Sequence, residues 1–302
     1  MIGSNFPRAA ADAVRSGAAD PNITLLLFPL MRRLMVKRAK VRRVLRRLEQ
    51  MYGTRTWTRP ACGLDVLVEA LLAQNTNMAN ATSGYRQLRR RFRSWNAVMA
   101  APVEDVQRQI AICGLARMRA RRLQDLLRII RAQRGKLDIE FLRDEAPRAA
   151  YDWLTSFYGI GPKTAAFTLL FAFALPVLPV DNGVLRVLRR TRLVRAKARD
   201  AEAEHTMSPL IAPGRHYAMH VLLFTHAKQR CRPKNPKCDE CRLLELCPHG
   251  KRRVRHAAPE QPEEVTTLRR RAARLATFAS AGILRSSDAD GAGVLRPRGR
   301  AR

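Results

Sequence analysis

The sequence predicts a mainly α-helical protein, and three observations carry that reading. Apolar residues recur at spacings of three and four along most of the chain, the period of a helix with one buried face. No stretch alternates apolar and polar residues with the period of two that a half-buried strand requires. Between residues 154 and 166 one helical pattern stops at Gly159-Ile160-Gly161 and another starts at Pro162, as in two helices joined by a tight turn. With 46% apolar residues in 302, the chain can bury a real core.

Taken in order, residues 1–34 precede any clear pattern. They read as a disordered extension, or as sequence upstream of a natural start at Met35. The apolar run at 23–31 contains Pro29 and is too short to cross a bilayer. Arg32, Arg33 and Lys37 follow where the small residues of a cleavage site would lie, so no secretion leader is expected. Residues 36–51 place Val36, Val41, Val44, Leu45, Leu48 and Met51 at helical spacing, opposite a strongly basic face that is either merely solvated or set against a polyanion. Residues 64–72 read as a buried helix, and 85–99 and 106–112 as shorter amphipathic ones. Residues 119–131 bring Leu123, Leu126, Leu127 and Ile130 to one face. Further helices are expected at 149–157, 162–175, 180–191 and 216–227. Residues 251–302 turn Pro-, Glu- and Arg-rich and read as a basic flexible tail, with a short helix at 265–278 within it.

The charge narrows the partner. Lys and Arg number 57 against 25 Asp and Glu, a net charge of +32 and a pI near 11.5. A field of this size concentrates phosphates and speeds their encounter, which argues against most small-molecule metabolic enzymes and for a polyanionic partner. Half of the net charge lies in residues 1–50 and 251–302, where it can add affinity but says nothing about chemistry.

Four of the six cysteines, Cys231, Cys238, Cys241 and Cys247, follow the spacing C-x6-C-x2-C-x5-C. Thiolates this close are metal ligands before anything else in an intracellular protein. Structural zinc usually takes two tight pairs separated by a longer loop, whereas one tight pair flanked by single cysteines better suits one iron–sulfur cubane in a compact loop. Zinc and disulfides are the competing readings. Cys62 and Cys113 stand apart and read as packed core residues. Arg232, Lys234 and Lys237 lie between the first two ligands, on a loop that is either a phosphate-contacting prong or simply solvated.

Gly159 and Gly161 belong to the helix–turn–helix hairpin. Its backbone N–H groups, with a helix dipole behind them, form a ready phosphate site; the plain alternative is an ordinary hairpin. Lys163, one of only nine lysines, follows directly. An amine here, expected to be partly buried, is a candidate nucleophile toward an aldehydic or anomeric carbon. Eighteen residues on, Asp181 follows the extended Leu178-Pro179-Val180. It is either a helix N-cap or, paired with Lys163, the carboxylate that stabilises positive charge developing on a sugar ring.

Gly-x-Gly-x-Lys-Thr-Ala, then Val-Asp eighteen residues after the lysine, then the cysteine loop: in this order, the motifs resemble the endonuclease III family. That family is the iron–sulfur branch of the helix-hairpin-helix DNA glycosylases. The resemblance spans residues 36–250. It implies two helical domains with a DNA-binding cleft between them: a six-helix barrel at 56–165 carrying the hairpin, and an iron–sulfur domain made of 35–55 and 166–250. By the same resemblance, Lys163 attacks the deoxyribose C1′, Asp181 assists base departure and later proton transfers, and Cys231, Cys238, Cys241 and Cys247 hold a [4Fe–4S] cluster. Gln74 matches the side chain that fills the gap left by a flipped base, and Leu115 the one wedged into the stack. Where the family pattern continues Thr-His after the aspartate, this chain has Asn182-Gly183, and the Tyr52-Gly53…Trp57 element resembles outlying branches, so substrate choice stays open.

The implied function is base excision repair: a DNA glycosylase with AP-lyase activity on oxidised pyrimidines, its partner being double-stranded DNA with damaged bases or abasic sites. A monomer in the bacterial cytoplasm, at the nucleoid, is expected. Two alternatives stand beside it. One is a monofunctional glycosylase of the same fold acting on alkylated or mismatched bases. The other is a non-enzymatic DNA-binding protein with a structural metal knuckle, which leaves Lys163 and Asp181 unexplained.

Overall fold

Twelve α-helices and four short 3-10 turns build the computed structural model, which describes residues 21–257 and the side chains of residues 31–256. No strand occurs among the described residues. Residues 1–20, the expected helix at 265–278 and the rest of the tail from 258 onward lie outside them. No described helix is long and apolar enough to cross a membrane.

Two apolar cores organise the helices. The first is formed by α2 (Gly63–Leu72), α3 (Met78–Arg91), α4 (Trp95–Ala100), α5 (Val103–Gln109), α6 (Ala116–Arg134), α7 (Pro147–Thr155) and α8 (Pro162–Phe173). At its centre Leu64, Leu67, Leu88, Leu123, Leu127 and Leu169 are fully buried, each contributing about 1.5–3 kcal/mol of transfer free energy. The second gathers α1 (Pro21–Tyr52), α9 (Asn182–Arg190), α10 (Asp200–Met207) and α11 (His216–Gln229), with the cysteine loop and α12 (Pro248–Ala257) following. Val44 and Leu48 of α1 are buried there against Val184, Leu188, Met219 and Leu222. An N-terminal helix thus completes a core whose other members come more than a hundred residues later.

Several expectations change. The helix 162–175 packs in the first core, so the division between cores falls at Val177 and Leu178, not at residue 165; its apolar face matches α2 and α7. Residues 21–34 are helical as the first turns of α1, and 251–257 belong to α12 and not to the tail. The helix expected at 85–99 is two: Phe92 is extended, and Ser94 caps α4 by accepting the Ala97 N–H at 3.2 Å. The helix α3 starts earlier than expected, at the Asn77 cap, whose side chain accepts the Asn80 N–H at 2.8 Å.

Candidate active site

The two cores meet along α8, where Phe167 and Phe171 pack against Tyr217 and His220 of α11. The helix α7 ends at Thr155, Ile160 is buried as an anchor, and α8 starts with Pro162 at its first position. The two glycines differ in what they are for. Gly159 has φ +85°, a conformation side chains rarely adopt. Gly161 has an ordinary φ of −85°, and a Cβ there would meet nothing within 4 Å. Nothing inside the protein requires glycine at 161; its bareness leaves the main chain open to a group from outside. Tyr158, at 79% one of the most exposed aromatics, sits on the same turn with the Arg122 guanidinium 5.2 Å from its ring centroid.

Lys163 is exposed, not partly buried as expected, because it lies on the outer face of the first turn of α8 while Thr164 and Ala165 face inward. Asp181 is half-buried and is the N-cap of α9, its Oδ1 accepting the Val184 N–H at 2.6 Å. Its other carboxylate oxygen makes no hydrogen bond among the described residues. The capping role is therefore real and leaves one oxygen over.

Behind the segment that carries Asp181 lies His220, which the sequence reading did not single out. It is buried on α11, with its Nδ1 2.9 Å from the Pro179 carbonyl. A carbonyl can only accept, so Nδ1 carries the proton and Nε2 keeps its lone pair in the neutral ring. Burial pushes the imidazole down to about 4; the Pro179 carbonyl and the Asp181 carboxylate oppose that shift, and the Lys163 ammonium adds to it. Phe167 and Phe171 of α8 meet that ring edge-on, with centroids 6.4 and 5.4 Å away, and Phe224 stacks at 6.3 Å. Aromatic packing therefore ties the lysine-bearing helix to the segment that carries Asp181.

Gln74 reaches the hairpin directly: its Nε2 donates to the Gly159 carbonyl at 2.8 Å and to the Thr164 hydroxyl at 3.1 Å. Leu115 lies in the αL region (φ 49°) and is 62% exposed, a large apolar side chain held out into solvent. Its loop connects to Gln74 through Arg119, also unforeseen, whose buried guanidinium bonds to the main chain of both. Cys113 is core, as expected, its thiol donating to the Asn80 carbonyl at 3.4 Å, and Cys62 is half-buried beside α2.

The cysteine loop begins about one helix length from Asp181, where α9 ends. Cys231, Cys238, Cys241 and Cys247 line one shared cavity. No three potential ligands approach closely enough among the described residues to grip a single ion. Donors are already aimed at the sulfurs: Arg190 to Cys231 Sγ at 3.3 Å, the Gly250 N–H to Cys247 Sγ at 3.3 Å, and His226 Nε2 lies 3.8 Å from Cys241 Sγ. Burial first, and then neighbouring thiolates, push Cys241 up to about 11. Arg190 also bonds the carbonyls of Arg232 and Pro233 at 2.8 and 3.2 Å, pinning the loop on which Arg232, Lys234 and Lys237 are all exposed.

Against known proteins, residues 68–213 match the HhH-GPD superfamily of base excision DNA repair proteins. The endonuclease III of Bacillus subtilis (strain 168) is 31% identical over 189 residues, 62% of this chain and 81% of that protein. The endonuclease III of Thermotoga maritima is 27% identical over 188 residues, 62% and 84% of the two chains. A solved non-covalent endonuclease III–DNA complex superposes with a TM-score of 0.62 at 25% identity, covering 72% of this chain and 98% of the other. The chain therefore belongs to the HhH-GPD superfamily: it is a DNA-binding glycosylase of base excision repair, endonuclease III-like in fold.

Proposed function

We propose that this glycosylase is also an AP lyase, with Lys163 as nucleophile and Asp181 as its acid–base partner, acting on oxidised pyrimidines in duplex DNA as a monomer. The observation that supports the reading is that Lys163 opens α8 beside the Gly159–Gly161 turn while Asp181, capping α9 through Oδ1, keeps its second carboxylate oxygen unbonded among the described residues. A hydrolytic glycosylase needs only a carboxylate to activate water; an amine beside that carboxylate supplies a second route.

In this scheme the free oxygen of Asp181 takes the proton from Lys163. The Lys163 Nζ forms a bond to C1′ of the flipped nucleotide, and the base leaves with the glycosidic electron pair and the proton that Asp181 gives back. The C1′–O4′ bond then breaks, a proton of Nζ passes to O4′, and an iminium between Nζ and C1′ remains while Asp181 is again a carboxylate. The iminium acidifies the C2′ proton, Asp181 removes it, and the 3′ phosphate leaves by β-elimination. Water then hydrolyses the iminium and returns Lys163. The Gly159–Gly161 turn and the Arg232, Lys234 and Lys237 prong hold phosphates, and Gln74 and Leu115 occupy the space left in the duplex.

Cys231, Cys238, Cys241 and Cys247 fit a [4Fe–4S] cluster by the shared cavity and the donors aimed at their sulfurs. When bound, such a cluster cross-links the loop and needs to supply no electron to either step. Single-turnover assays on duplexes carrying an oxidised pyrimidine, an alkylated base or a mismatch test the assignment, with and without alkaline work-up. Nicking of the oxidised-pyrimidine strand without alkali is expected. Base release that needs alkali to reveal it identifies the monofunctional alternative, and no release from any duplex contradicts the proposal.

A further inference from the structure

Arg119 is only 4% exposed and forms no ion pair among the described residues, an unusual state for a guanidinium. Its charge is met by main-chain carbonyls. Nε donates to the Gly114 carbonyl at 2.8 Å, one terminal nitrogen to Leu71 and Leu72 at 3.1 and 3.2 Å, and the other to Gln74. Leu71 and Leu72 end α2, where helix carbonyls lack their regular i+4 partners and carry partial negative charge. Gly114 and Gln74 are different: they belong to the two loops that hold Leu115 and Gln74 toward solvent and hairpin.

Both loops are conformationally costly. Leu115 (φ 49°) sits in the left-handed region, where such a side chain costs about 1–2 kcal/mol, and Asn75 (φ 52°) sits there too, at the smaller cost that asparagine tolerates. Such backbone persists only when its surroundings over-determine it. One planar fork with donors fixed in direction can do that for two loops at once, which a flexible single ammonium cannot. The connection continues, because the Gln74 side chain is bonded to Gly159 and Thr164 of the hairpin.

We propose that Arg119 is a positioning residue that locks the Gln74 and Leu115 loops into one rigid wedge, so that both side chains enter the duplex together when a nucleotide is flipped. This rests on the reading of Gln74 and Leu115 as duplex-inserting groups. Arg119 touches neither DNA nor the reacting atoms; it acts through the loops. A misplacement of about 1 Å in such a device can cost on the order of a hundredfold in rate.

The test uses the full chain and a duplex carrying a tetrahydrofuran abasic analogue opposite 2-aminopurine, whose fluorescence rises when the stack is opened. Wild-type protein should raise the signal, and Arg119→Lys and Arg119→Met should bind the duplex within a few-fold of wild type yet raise it little. Leu115→Ala, a surface change that spares the core, should give the same loss of signal. The double variant Leu115→Ala with Arg119→Lys should be no worse than the poorer single one. In single-turnover assays the Arg119 variants should lose about a hundredfold in base release from a paired lesion and much less in nicking at an abasic site in single-stranded DNA, which needs no wedge. A full fluorescence rise with Arg119→Lys, no rise with wild type, or strictly additive losses in the double variant would each overturn the proposal. The fluorescence readout needs no chemistry, so it stands apart from whether Lys163 is a lyase nucleophile.

Discussion

Asp181→Asn is expected to leave the fold nearly untouched while removing most of the base release. The reasoning starts from the 2.6 Å bond in which Asp181 Oδ1 accepts the Val184 N–H at the start of α9. Asparagine caps helices about as well as aspartate, because its amide oxygen can accept the same N–H, so the variant should unfold within about 1–2 °C of wild type. Asp181→Ala also loses the cap, worth about 1 kcal/mol, which for a chain of this size is about 2–4 °C in Tm. Activity should divide differently. Neither variant has a carboxylate to exchange protons with Lys163, so both should lose about 10²–10⁴-fold in single-turnover base release. Thermal unfolding and quenched-flow excision on the same preparations measure the two effects side by side. An Asn variant that excises within about threefold of wild type would refute the idea that the second oxygen of Asp181 does chemistry. An Asn variant as destabilised as the Ala variant would refute the capping argument.

Other expected outcomes follow from the same geometry. Gly161→Ala should unfold like wild type, since its Cβ meets open space at a normal φ, but should bind every duplex more weakly. Gly159→Ala, at φ +85°, should cost about 1 kcal/mol or more of stability, read by denaturant unfolding. Glu204 is held up to about 7 by burial and then by Asp200, so the folded state keeps its proton when the unfolded chain has lost it near 4.5. Its contribution is present at low pH and lost as pH rises through 7; Glu204→Gln should therefore raise Tm at pH 8 and leave it unchanged at pH 4.5. Iron and sulfide analysis should find about four of each per chain with little zinc, and Arg190→Met should make the brown cluster bleach faster in air.

Motifs that act through nearby residues were legible in the sequence. The hairpin, Lys163 and the cysteine spacing each declare themselves within about twenty residues. Long-range partners do not: Arg119 meets carbonyls 45–48 residues away, and His220 meets Pro179 at a separation of 41. Nothing in local periodicity marks either as special, and Arg119 is hidden among the many arginines of α6. The early part of α3 was missed for a physical reason too. Its buried face is made of Ala81 and Gly84, and a Cβ at 84 would lie 2.6 Å from Cys113 Sγ. Close packing of small residues leaves no apolar period to read. The Asn182-Gly183 departure likewise gains a reason in the structure, since a Cβ at 183 would come within 3.0 Å of Ala227 Cβ.

Borohydride reduction during reaction with an abasic-site duplex tests the central claim most directly, because it fixes the iminium as a stable secondary amine. A covalent protein–DNA adduct is expected, with peptide mapping placing the deoxyribose on Lys163, and Lys163→Ala should form none. A wild-type protein that releases base yet traps no adduct, or an adduct that survives Lys163→Ala, would contradict the account.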